Sequence, residues 1–99
     1  MDITWSEDKR RRNLRKHGLD FASAAAVFED PLAVTVFDRV VEQEERWHTV
    51  GTLFTGGTFS VVVVVHTFPA GDDDDWVHII SMRPADAGER RRYEQVSHR

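Results

Sequence analysis

Five consecutive valines, Val61-Val62-Val63-Val64-Val65, stand in the middle of the stretch from Thr58 to Thr67. Such a run cannot alternate between core and solvent, so both of its faces have to be covered. β-Branched side chains are stiff at χ1 and suit an extended backbone. A continuous apolar run of this length fits a buried strand or a piece of a buried helix. The valine content, the Gly56-Gly57 turn before it and Pro69-Ala70-Gly71 after it decide for the strand. Burying each valine contributes roughly 1.5–3 kcal/mol, so the run is the expected centre of the core. At a sheet edge it would invite aggregation. It therefore belongs in the middle of a sheet, with helices on at least one face.

The remaining elements follow in order. Ile3-Thr4-Trp5 reads as a short strand, and Ser6 as the N-cap of a helix running to His17, with Gly18 placed for a left-handed cap. Asp20 caps a second helix, Phe21–Phe28, whose expected apolar face is Phe21, Ala24, Ala25 and Phe28. Leu32–Phe37, Arg46–Phe54 and Trp76–Arg83 read as strands around the valine strand. Asp38–Glu45 reads as a polar connection and Pro69–Asp75 as an acidic loop. Asp86 caps a last helix carrying Glu89, Arg90 and Tyr93. The order β-α-α-β-β-β-β-α, with helices segregated at the ends, predicts an α+β fold on a mainly antiparallel, twisted sheet. Residues 1–99 are expected to form one domain.

The chain has no cysteine, which excludes disulfides and thiolate chemistry. The charged start resembles no signal peptide, and the valine run is too short to span a bilayer as a helix. The expectation is a soluble, cytoplasmic protein with no membrane partner. Net charge is −4, unevenly spread: residues 1–17 carry +3, residues 83–99 carry +2, and 18–82 carry −9. Basic ends on an acidic middle favour a charged partner. The first helix has Leu14 as its one large aliphatic residue; it is either a solvated element or one that presents a charged face.

Asp72–Asp75 lacks the interrupted spacing and central glycine of a calcium loop, and reads as a solvated tip. The five histidines, His17, His48, His66, His78 and His98, form no H-x-H or H-x-x-x-H pair. No G-x-S-x-G elbow and no phosphate-cradling loop are present. What remains is cationic: Arg46, Arg83 and Arg90, with Tyr93. Arginine bonds phosphate or carboxylate bidentately. RNA supplies its own nucleophile, the 2′-OH, so a metal-free ribonuclease needs a proton acceptor, a proton donor and cations. On that basis Arg46 and Arg83 are candidates to hold a scissile phosphate, and His66 or His78 to transfer a proton. Tyr93 would flank the site. Lys9, Arg10, Lys16, His17 and Arg90 are the candidate RNA contacts. No cofactor is called for. The structural alternative is that Arg83 pairs with Glu89 or Asp86 and fixes the last helix.

A longer series of residues resembles a known family. Trp5-Ser6-Glu7-Asp8-Lys9 and Asn13-Leu14-Arg15-Lys16-His17-Gly18-Leu19-Asp20-Phe21 are similar to the opening of BrnT-type toxins. The likeness continues through Val27–Pro31, Glu44-Glu45-Arg46 with Gly51, and Ile79–Arg83, and ends with Glu89-Arg90 and Tyr93. The resemblance implies a RelE-like α+β fold and a ribonuclease toxin of a bacterial type II toxin–antitoxin pair that blocks translation. It also implies a BrnA-like antitoxin that neutralises the toxin and binds operator DNA, which the toxin would meet only through that partner. Ser6, Phe68-Pro69 and His78 depart from the family pattern, leaving fewer cations around the site. Two other readings stand beside the ribonuclease: a non-catalytic module of a DNA-binding repressor complex, and a metal-dependent enzyme using the histidines and the aspartate run.

Overall fold

The valine run lies in β4 (Thr58–Thr67), the middle strand of a five-stranded sheet. The computed structural model describes residues 2–68 and 76–97. The expected acidic loop Pro69–Asp75 and His98 lie outside the described residues. Along the chain come β1 (Asp2–Trp5), α1 (Glu7–His17), a 3₁₀ turn (Phe21–Ser23), α2 (Ala24–Glu29), β2 (Val34–Val41), β3 (Glu44–Thr55), β4, β5 (Trp76–Pro84) and α3 (Ala87–Ser97). The α+β class and the order of elements are those read from the sequence. No helix among the described residues is long and apolar enough to cross a membrane.

In space the strands run β1-β5-β4-β3-β2. β2 to β5 pair antiparallel in succession, whereas β1 joins β5 in parallel, Ile3 opposite Val77. The sheet is therefore mixed rather than antiparallel throughout. The helical connection from Trp5 to Val34 is long enough to return the chain in either direction, and its residues do not encode which.

The valines divide between two layers as the pleat demands. Val62 and Val64 join Phe21, Ala24, Val27, Ile79 and Met82 in a core under α1 and α2. Val63 packs with Val50 and Tyr93 on the opposite face, under α3, with Val61 and Val65 half-buried at its margins. Gly51 lets α2 approach β3: a Cβ there would sit 3.0 Å from the Val27 carbonyl oxygen.

Three local expectations change. The 3₁₀ turn offsets α2 from a continuous helix, so Val27 is buried while Ala25 is exposed and Phe28 only half-buried. Ser6 has the backbone conformation of an N-cap, but its side chain makes no capping bond. β2 begins at Val34 and runs on to Val41, and β3 begins at Glu44, so the expected polar connection is a hairpin turning at Glu42-Gln43. Both turn residues have positive φ, 50° and 68°, without the glycine or asparagine that would have marked the turn.

Candidate functional site

β1 pairs only with the first part of β5, from Trp76 to Ile79. Beyond Ile79 the edge of β5 faces α1 instead. Asn13 fastens the two: its side-chain amide donates to the Leu19 carbonyl at 3.1 Å, and its side-chain oxygen accepts from Met82 N–H at 3.0 Å. Either side of that buried joint lies a cleft of about 320 Å³ lined by Lys9, Arg12, Asn13, Lys16, His17, Ile80, Ser81 and Arg83. None of these side chains is acidic. Lys9, Arg12 and Lys16 recur at helical spacing along one face of α1, a cationic rail roughly 10 Å long. The rail exists because α1 has so little apolar surface: Asn13 and the following Leu19 anchor it, and its other side chains stay at the surface.

Arg83 belongs to this cleft and to a second constellation. Its Nη1 and Nη2 donate to Glu89 Oε1 and Oε2 at 2.7 and 2.9 Å. Glu89 also closes a capping box on α3, accepting from Asp86 N–H while Asp86 accepts from Glu89 N–H. The Arg83 pair, outweighing partial burial, holds the Glu89 carboxyl down at about 2, and Glu89 in turn raises Arg83. Beyond Glu89 stands His48, with Nδ1 4.0 Å from Glu89 Oε2 and Nε2 3.3 Å from Asp38 Oδ2. A β-bulge between Phe37 and Arg39 turns Asp38 toward His48.

Strand register shows what shares this face. Val63 packs under α3 and is paired with Arg83; Val65 is paired with His48 and Ser81; Thr67 is paired with His78. Arg46 lies one step beyond the Trp47–His66 pair, and alternation puts it on the same face. Arg46, His78 and Arg83 are thus three sequence candidates on one half-covered sheet face. Arg46 makes no ion pair among the described residues, and its Nε is buried without a hydrogen-bond partner. His78 Nδ1 lies 2.9 Å from Thr4 Oγ1.

The other candidates sit elsewhere. His66 is fully buried on the opposite face, between the rings of Phe28 and Phe68, with Nε2 2.8 Å from Thr49 Oγ1. Burial pushes it down to about 4, so it is neutral. Tyr93 is buried, and its hydroxyl donates to Asp30 Oδ2 at 2.6 Å. Burial and that carboxylate raise its pKa. Asp30 also accepts from Leu32 N–H and from Thr52 N–H and Oγ1; these bonds outweigh its burial and lower its pKa. Arg10 is turned away from the cleft onto Asp20, at 2.9 and 3.0 Å, with Glu7 beside it; the Asp20 hydrogen bond raises Arg10 and lowers Asp20. Arg90 is exposed on α3, outside the cleft. Lys9, Lys16, His17 and Arg83 are therefore gathered by the cleft, and Arg10, Arg90, His66 and Tyr93 are not. Among the described residues no three His, Asp or Glu side chains converge as a metal site.

Arg12, Asp38 and His48 were not singled out from sequence as site residues. Helical spacing from Lys9 could have found Arg12. Nothing local could have found Asp38 and His48, because a bulge and a cross-strand register join them.

The domain is thus small and α+β, with a cationic cleft between α1 and the β5 edge whose lining holds no acidic side chain. The family model described as ribonuclease toxin, BrnT, of type II toxin-antitoxin systems matches residues 5–89, and the chain belongs to that family. No curated protein matches the chain. Membership bears out the resemblance read from the residues, and at the family's level it implies RNA as target and an antitoxin as partner.

Proposed function

We propose that this protein is a metal-independent endoribonuclease of RelE-like type, neutralised by a BrnA-like antitoxin, which alone carries the pair to operator DNA. The observation that carries the reading is the α1–β5 cleft, where Lys9, Arg12, Lys16, His17 and Arg83 converge without an opposing carboxylate in the lining. In this reading the rail on α1 takes the RNA backbone through charge and counterion release. Arg83, at the junction of cleft and sheet face, exchanges Glu89 for the scissile phosphate, and Arg46 supports the developing charge from the same face. The cytoplasm is where such a toxin would meet its RNA.

Incubating the purified protein with RNA, with and without EDTA, is the direct test. Cleavage that persists in EDTA is the expected result. Loss of cleavage in EDTA favours a metal-dependent enzyme, and no cleavage at all favours the repressor-module reading. Arg83→Ala is expected to abolish growth inhibition. Because Arg83 also holds Glu89 at the start of α3, thermal melting of the variant has to accompany that assay. Toxicity that falls only as the protein unfolds would leave Arg83 a purely structural role. For the partner, co-elution with the neighbouring gene product on size exclusion at low salt is expected; separation of the two rules the pairing out.

A further inference from the structure

We propose that His48 is the proton-transfer residue of this site, oriented by Asp38 and set beside the Arg83–Glu89 pair; the assignment rests on the ribonuclease reading. Among the histidines on the described strands it has the geometry for the role. His66 is sealed in the core on the other face, and the Nδ1 of His78 is engaged with Thr4. His48 is only partly covered, and its two ring nitrogens face different groups. Nε2 lies 3.3 Å from Asp38 Oδ2, an ion-pair distance, so the carboxylate favours a proton on Nε2. Nδ1 is then the basic nitrogen, and Glu89 Oε2 at 4.0 Å is too far to hydrogen-bond it.

One carboxylate oxygen separates imidazole from guanidinium, since Glu89 Oε2 also accepts from Arg83 Nη2 at 2.9 Å. A phosphodiester that displaces Glu89 from Arg83 therefore enters the space that Nδ1 faces. The charged groups nearest the ring are Asp38 on β2 and Glu89 on α3; Arg39 is bonded to Asp38, Arg83 on β5 to Glu89, and Arg46 lies two residues before His48 on the same face of β3. β4 presents Val65 there, with His66 on its far face.

The chemistry balances without a further reagent. Neutral His48 takes the proton of the ribose 2′-OH as the 2′-oxygen bonds to phosphorus. The bond from phosphorus to the 5′-oxygen breaks, and that oxygen takes a proton from water. The products are a 2′,3′-cyclic phosphate and a 5′-hydroxyl, and Asp38 stabilises the imidazolium until solvent removes its proton.

The test compares the full chain with His48→Gln and Asp38→Asn. Cleavage of a synthetic RNA is followed across pH, with RNA binding by fluorescence anisotropy and melting temperature measured alongside. Expected is a loss of roughly 10²–10⁴-fold in rate for His48→Gln, disappearance of the acid limb of the pH profile, and binding unchanged within about twofold, because the cleft residues are intact. Asp38→Asn is expected to lose less, since the imidazole keeps its place but the imidazolium formed in the step loses its counter-charge. An RNA with 2′-deoxyribose at the cut nucleotide should stay whole. Wild-type cleavage accompanied by a His48→Gln variant of equal rate and unchanged profile overturns the assignment alone. No cleavage by the wild type overturns the ribonuclease reading and this with it. If His48→Gln fails to fold, a folded Asp38→Asn variant with an unaltered rate is sufficient to reject it.

Discussion

Asn13 is the polar residue on which the site depends most, although it touches nothing catalytic. It is buried on an otherwise solvated helix and occupies two groups that would otherwise be orphaned, the Leu19 carbonyl and the Met82 amide. Asn13→Ala is expected to cost roughly 1–3 kcal/mol for each buried partner left unpaired, read as a lower urea midpoint, and to loosen the cleft with it. His66 makes a different kind of contribution. Its pKa is depressed from 6.5 to about 4 in the fold, so the unfolded chain binds the proton first as pH falls. The stability its burial contributes is complete above pH 6.5 and is lost as pH drops toward 4. Glu89, depressed from 4.5 to about 2, adds a second loss in the window from 4.5 down to 2. The urea midpoint should therefore fall between pH 7 and pH 5, and His66→Leu should flatten that fall. Thr49 would keep Thr35 Oγ1 as a hydrogen-bond partner in the variant.

At the scale of elements, the β2–β3 hairpin holds the least favourable local conformation in the described chain. Glu42 and Gln43 both occupy left-handed backbone, where a side chain is disfavoured, whereas the β3–β4 hairpin fills the same role with Gly56 and Gly57. Gln43→Gly is expected to stabilise the protein by about 0.5–1 kcal/mol, seen as a rise in melting temperature with cleavage unaltered. The hairpin matters to the site because β2 carries the bulge that turns Asp38 toward His48. α3 is fixed from both ends of the same face: by the Asp86–Glu89 capping box with Arg83 at its start, and by Tyr93 on Asp30 further along. Arg83→Ala therefore perturbs an element as well as a charge.

For the whole molecule, a net charge of −4 conceals a local concentration of cations, because the α1–β5 cleft is lined by Lys9, Arg12, Lys16 and Arg83 and by no acidic side chain. Lys9→Glu with Lys16→Glu is expected to abolish RNA binding, to flatten its dependence on salt and to leave the melting temperature within a degree or two of wild type; anisotropy titrations at several salt concentrations check it. The central valine strand, the class and order of the elements and the cationic character of α1 were legible in the sequence, because each follows from local composition or periodic spacing; the family was legible as an ordered series of residues resembling it. The sequence also carried the candidate ion pair of Arg83 with Glu89, six residues apart across a strand end and a cap. That β1 docks parallel on β5 was set by tertiary packing, since the connection before β2 permits either direction. Tertiary packing also turned Arg10 onto Asp20 and sealed His66 and Tyr93 into packed layers. It brought Asp38 and His48 to Glu89 through a bulge and a register that no short stretch of sequence encodes. Side-chain chemistry is legible residue by residue, but which groups meet is set by how strands pair and helices cover them.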